Sequence, residues 1–252
     1  LRIIFIILFF LLFACSKEDN KSSTAKTGKY SDDYFIIEYP TNLKKTDILQ
    51  VITLAKRAVN LSKEALDIIP THQIKIKIYP STQDFIQATG TVWWKAAISK
   101  EKTIHLQPIK ILLAKGILPN TLAHEFAYFA IKEICKTQIP LWLIEGIASY
   151  IAKEGNIYFD ETIRRNISNK NFIPISDLDA CITSGDKQNS QQAYWQSYSF
   201  IAYLISKKGK QSIRDMLTLI NQTKSTNKAF NQIFGTSINK IEKQWQTAIT
   251  QN

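Results

Sequence analysis

Histidine and cysteine are scarce in this chain, with three of each among 252 residues. Beyond Cys15 only Cys135 and Cys181 remain, so at most one further cross-link could form. Pairing in an oxidising compartment and two buried free thiols both fit that count. Long apolar runs are also missing. The longest, Ile3 to Ala14, has twelve residues, whereas a membrane-crossing helix needs about 20. The formal charge is +11, yet there is no dense lysine run and no glycine–aromatic motif. The lysines are scattered or alternate with isoleucine, which argues against a nucleic-acid binder. Attraction to an anionic membrane surface or an acidic polymer is the expected consequence of such a charge. No internal repeat is present.

What the chain does have begins at its N-terminal end. Arg2 precedes the twelve-residue apolar run, and Cys15 follows it. A cation ahead of a short apolar core is the pattern of a signal peptide. Leu12-Phe13-Ala14-Cys15 resembles the lipobox of bacterial lipoproteins, with a large aliphatic residue three before the cysteine and a small one just before it. The resemblance implies cleavage of residues 1–14, lipid on Cys15, and a cell-envelope protein facing the periplasm or the cell surface. The partner of that anchor would be a membrane. Residues 15–29, rich in Ser, Thr, Lys and acidic residues, read as a disordered tether. Ser16-Lys17-Glu18-Asp19 is similar to a short acidic surface-export signal, and a plain solvated linker fits equally.

From residue 30 to 252 the chain reads as one domain, and 45% hydrophobic residues supply a sizeable core. Residues 34–39 predict a strand closed by Pro40. Ile48, Val51, Ile52, Leu54, Ala55, Ala58, Val59, Leu61 and Leu66 keep helical spacing between Lys45 and Asp67. Gln73–Tyr79 alternates with period two, as a half-buried strand does. Ser81 is placed to cap a short helix. Residues 96–98 and 103–106 predict two strands joined by the polar turn 99–102. Beyond Pro108 the pattern is helical almost throughout. Asn120 is the expected N-cap of a helix over 121–136, and Pro140 opens the next. A looser polar stretch spans 155–190. Further helices are expected over 193–207, 211–221, 226–234 and 237–250. Strands early and helices late make the fold class α+β, with a small mixed or antiparallel sheet in the N-terminal half. The domain is expected to be a monomer.

Three stretches carry chemistry. His124-Glu125-Phe126-Ala127-Tyr128 sits on the helix after Asn120, and Trp142-Leu-Ile-Glu145-Gly146-Ile-Ala148-Ser-Tyr150 follows on the next. The first resembles HExxH, in which histidines at i and i+4 share one helix face and grip one zinc ion. The second resembles the WLxEGxAxY stretch of gluzincins. A third stretch, Ala193-Tyr194-Trp195-Gln196-Ser197-Tyr198-Ser199-Phe200-Ile201-Ala202-Tyr203-Leu204, is similar to the AYxxSxxFxxYL segment of peptidase MA-like proteins, and the likeness covers residues 34 to 250. By that resemblance the cofactor is zinc and its ligands are His124, Glu145 and whatever stands at 128. Glu125 would be the general base for a metal-bound water. Tyr194, or failing it Tyr198, would stabilise the oxyanion. The substrate or ligand would be a peptide or protein.

Tyr128 is the departure from the pattern. It occupies the place of the second histidine. A phenol of ordinary pKa about 10 gives up its proton at pH 7 at a cost of about 4 kcal/mol before any metal contributes. Catalytic zinc needs three protein ligands plus water. Two functions follow. One is a pseudoenzyme that keeps the cleft and binds without turnover. The other is an active zinc peptidase with a non-standard ligand set that uses the Tyr128 phenolate or His105. Alternation in Ile104-His105-Leu106 puts His105 on the face opposite its apolar neighbours, which favours a surface histidine over a substitute ligand.

Overall fold

The computed structural model describes residues 26–67, 71–155 and 157–251. The signal segment, Cys15 and most of the tether lie outside them. The alternation read in the sequence produces one five-stranded sheet of β1 (Thr27–Ser31), β2 (Phe35–Pro40), β3 (Ile74–Ile78), β4 (Ala97–Lys100) and β5 (Thr103–Leu106). The strand order is β1-β2-β3-β5-β4. β2, β3 and β5 run parallel, while β1 and β4 are antiparallel edges. In β3, Ile74, Ile76 and Ile78 point inward and Lys75 and Lys77 between them point outward. β4 and β5 are joined through Glu101 and Lys102, at φ 50° and 61°, the left-handed pair of a tight two-residue hairpin.

The tether ends sooner than its expected limit at Lys29. Thr27, Gly28 and Lys29 pair with Pro40, Tyr39 and Glu38, so backbone pairing orders a segment whose composition gave no strand signal.

Helices surround one face of the sheet and fill the C-terminal half. Among the described residues there are eleven: α1 (Lys45–Leu66), α2 (Thr82–Thr89), α3 (Ile109–Ala114), α4 (Leu118–Ile134), α5 (Leu141–Ile151), α6 (Ile157–Ser168), α7 (Leu178–Thr183), α8 (Lys187–Lys208), α9 (Gln211–Thr223), α10 (Thr226–Phe234) and α11 (Ile238–Gln251). None is long and apolar enough to cross a membrane. Ser81 caps α2, its hydroxyl accepting from the Asp84 N–H at 3.1 Å. Asn120 does not cap α4, which starts at Leu118 with Pro119 in its first turn. Proline is pre-set for that place and needs no N–H. The Asn120 side chain instead donates to the Lys153 carbonyl at 3.3 Å. The polar stretch 155–190 is also more regular than its sequence pattern suggests. It holds α6, a 3₁₀ turn over Ile175–Asp177, α7 and the first turn of α8. Single buried residues, Ile163, Ile175, Leu178 and Ile182, hold these short pieces to the core.

α4 lies between two cores. Leu122, Ala123 and Phe126 join the sheet's inner face and α1. Ala127, Ala130 and Ile131 join the helical half. There Trp142, Phe200, Phe230 and Trp245 pack ring on ring, with centroids 5.2–6.4 Å apart, each pair adding about 0.5–1.5 kcal/mol beyond its buried area. With two faces of α4 buried, His124 and Tyr128, one turn apart, border the space left over. Cys135 and Cys181 are both free thiols.

Candidate active site

That space is a cleft of about 390 Å³ lined by β4, α4, α5 and α8. α4 contributes Thr121, His124, Glu125 and Tyr128, α5 contributes Leu141 and Glu145, and α8 contributes Tyr194. Trp94 and Lys95 of the preceding loop and residues 96–99 form the opposite wall.

Two local devices aim Glu145. Pro140 leaves the start of α5 short of one donor, and Asp179 of α7 takes the next two. Its carboxylate accepts from Leu141 N at 3.0 Å and Trp142 N at 2.7 Å, an N-cap supplied from a distant segment. The second device is Gly146. A Cβ there would sit 2.6 Å from the Ser197 carbonyl oxygen and 2.8 Å from its carbon. Only glycine lets α5 and α8 approach this closely, which puts Glu145 and Tyr194 in one cleft.

His124 stands between two carboxylates. Its Nε2 is 3.0 Å from Glu145 Oε2, and its Nδ1 is 3.3 Å from Glu154. Burial alone would lower the imidazole pKa, but Glu154 and Glu145 outweigh it and hold the value well above the usual range. Burial likewise acts to raise Glu154, yet His124 and a hydrogen bond from Ser149 leave it lowered. Both carboxylates thus favour the protonated ring over the neutral one. Glu125 is almost fully buried and receives a hydrogen bond from the Ser99 hydroxyl of β4. Its pKa is raised, chiefly by burial and against the pull of His124 and Ser99.

Tyr128 borders the same cleft, half-buried against the helical core. Burial, then Glu145 and Glu125, raise its pKa above that of a free phenol. The proton is held more tightly than in water. Tyr194 is raised further by burial, with Glu145, Glu125 and Glu154 adding to it, so both tyrosines are neutral hydroxyls.

The sequence-derived residues separate cleanly. His124, Glu125, Tyr128, Glu145 and Tyr194 meet in one place. Tyr198 does not line that cleft. It faces a side cavity of about 250 Å³ with Trp94, Phe159 and Trp195, packs at a tilt against Tyr150 and covers Gly155. His105 lies on the sheet's outer face, its Nδ1 2.8 Å from the Tyr79 hydroxyl. Its register partner Ile98 shares that face, while Ser99, which reaches Glu125, points to the other. His72 is exposed ahead of β3 and lines a neighbouring cavity that shares Ser99 and Tyr128 with the cleft, but it does not line the cleft itself. Neither histidine replaces the one missing at 128.

Sequence reasoning missed Glu154. It follows the end of α5, where Lys153 takes φ 56° and Glu154 N turns back to the Ser149 carbonyl at 3.1 Å. That reversal, of the kind that closes helices, swings the carboxylate into the cleft. Nothing in the residue pattern marks it. Ser99 and Trp94 also carried no signal of their own.

The donor set can be tested against zinc. Two ordinary donors converge at one point, His124 Nε2 and the Glu145 carboxylate, while Glu154 meets the ring at Nδ1, on its other side. The third place is held by a phenol whose proton is harder to remove than usual. Three protein ligands and a water are the catalytic norm, and among the described residues no group of three His, Cys, Asp or Glu is placed to hold a metal. These residues do not fit a catalytic zinc site of that kind. The acidic groups and the two tyrosine hydroxyls face an edge strand across the cleft.

A search of curated proteins gave no match. The family comparison did, over residues 53–251, from within α1 to the end of α11 and including both motif helices. The chain belongs to the peptidase MA superfamily, whose members are typically zinc-dependent.

Proposed function

We propose that this protein is a catalytically silent member of its superfamily, anchored to a membrane through lipid on Cys15, whose cleft holds a peptide segment without cleaving it. The observation that carries this reading is Tyr128: a neutral, half-buried phenol stands where the third metal donor belongs. The rest of the cleft supports binding. β4 ends the sheet, so its outer edge offers backbone donors and acceptors to an extended chain. Glu145, Glu154 and Glu125 face that edge from the far wall and favour a peptide carrying positive charge.

In this reading His124 no longer serves a metal. It neutralises part of the acidic wall and fixes the positions of Glu145 and Glu154. Ser99 holds Glu125 against β4, so that carboxyl braces the cleft wall rather than activating water.

The test is metal analysis of the dialysed full chain together with cleavage of unstructured peptides by wild type and Glu125→Gln. The expected result is sub-stoichiometric zinc and no cleavage that depends on Glu125. One zinc per chain, with turnover abolished by Glu125→Gln, would establish an active peptidase using Tyr128 as a ligand. Mass analysis of the peptide that starts at Cys15 tests the anchor.

A further inference from the structure

Helices α1 and α4 cover the sheet's inner face. On the outer face α2 reaches only the end near Tyr79, through Phe85. The register places two rows of side chains across what is left. One row runs Lys29, Glu38, Lys77, His105, Ile98, and the other runs Ser31, Ile36, Lys75, Thr103, Lys100. Four lysines thus share the face with a single carboxylate, Glu38, which Lys75 already pairs at 2.8 Å. Burial first, and then Lys77, Lys100 and Lys75, disfavour protonation of His105 on β5, with Glu101 of the β4–β5 turn acting the other way. Ile36 and Ile98 sit half-exposed between the ammonium groups, and Lys77 lies over the Tyr79 ring at 5.1 Å. Lysines around isolated half-exposed aliphatic side chains match the chemistry of a membrane interface.

The position of the face points to the same partner. Its first strand starts at Thr27, twelve residues after Cys15. Twelve residues reach no farther than about 40 Å, so a lipid on Cys15 would keep this sheet beside the bilayer. None of Lys29, Lys75, Lys77 or Lys100 lines the cleft, which opens at β4 on the helical side.

We propose that the uncovered outer face of the sheet docks on an anionic phospholipid surface and leaves the cleft open to solvent. The proposal takes the nearness of the bilayer from the proposed anchor at Cys15, while the charge of the face stands without it, and neither depends on whether the cleft is catalytic. Each lysine near such a surface contributes about fivefold to binding, and salt screens the attraction within roughly a Debye length of 8–10 Å.

The experiment uses the full chain, extracted from membranes and reconstituted into vesicles of phosphatidylcholine alone or mixed equally with phosphatidylglycerol. Lysine acylation is then read residue by residue. Lys29, Lys75, Lys77 and Lys100 are expected to react about tenfold more slowly on the mixed vesicles, with Lys115 and Lys208 unchanged and high salt removing the difference. The Lys77→Gln/Lys100→Gln double variant leaves the Lys75–Glu38 pair intact and should bring Lys29 and Lys75 back to within about twofold of their rates on neutral vesicles. Equal labelling on both vesicles overturns the proposal. So does protection by a DNA duplex in solution with none on vesicles, which would assign the face to another polyanion. The Cys15 peptide in the same digest reports the anchor separately. Unmodified Cys15 with protection retained removes the anchor and keeps the docking face, and lipidated Cys15 without protection does the reverse.

Discussion

Glu154 meets Nδ1 of His124 at 3.3 Å, on the side of the imidazole away from Glu145. The pair ties the end of α5 to the middle of α4 across the floor of the cleft. Removing Glu154 leaves Nδ1 of the ring without its charged partner and His124 with Glu145 alone, and the cost falls on the folded state. Glu154→Gln is expected to lower stability by about 1–3 kcal/mol, measured by urea denaturation of the full chain. A change under about 0.5 kcal/mol, the scatter of ordinary surface substitutions, would mean that water replaces the carboxylate without loss.

Much of this arrangement was legible in the residues. Period-two alternation located β3, and helical spacing located α1, because each element buries one face and the other meets solvent. His124, Glu145 and Tyr194 could be brought together on paper, since each belongs to a motif with fixed spacing on a long helix. Glu154 and Asp179 could not. Both act through backbone geometry, one through a left-handed turn at Lys153 and the other through a capping contact between segments 38 residues apart. Short helices such as α7, held by one or two buried side chains, give too few repeats for a period to show.

Tyr128→His restores an imidazole one turn beyond His124. If the surrounding donors are still in place, zinc affinity should rise by at least the roughly 10–100-fold that even an outer-shell partner contributes. Competition with a chromogenic chelator gives the measurement. No gain would show that the contact of Glu145 with His124 has closed the site and that position 128 is not its sole defect.

Gly146→Ala probes the close approach of α5 and α8. The added methyl would meet the backbone at Ser197, 2.6 Å from its oxygen, and backbone cannot rotate aside as a flexible side chain can. A loss of about 1–3 kcal/mol is expected from overpacking, read as a lower midpoint in thermal denaturation. Because Glu145 adjoins the site of strain, peptide binding should weaken in the same variant. Unchanged stability would mean that the two helices separate freely, and that the glycine is not what sets their spacing.

Asp179→Ala removes the cap from α5. Both of its oxygens are used, by Leu141 N and Trp142 N, and the helix has no other side-chain cap. The expected loss is about 1 kcal/mol, within the 0.5–2 kcal/mol typical of a lost N-cap. Asp179→Asn keeps an acceptor and should recover most of it. Equal losses in the two variants would point to charge at the helix N-terminus rather than the hydrogen bonds.

His105 gives the fold a pH dependence of definite sign. Burial lowers its pKa first, and Lys77, Lys100 and Lys75 lower it further, with Glu101 opposing them weakly. The Tyr79 hydroxyl is its hydrogen-bond partner, and Ile98 faces it from β4. In the unfolded chain the ring titrates near about 6.5, above its folded value. As the pH falls through that range the unfolded state takes up the proton first. The contribution of His105 is therefore complete above about 6.5 and is lost on acidification toward the folded pKa. Unfolding free energies compared at neutral and mildly acidic pH should fall more for wild type than for His105→Gln, since the carboxylates that titrate lower are common to both proteins. Parallel pH profiles would place the imidazole in solvent, with the lysines too far away to act on it.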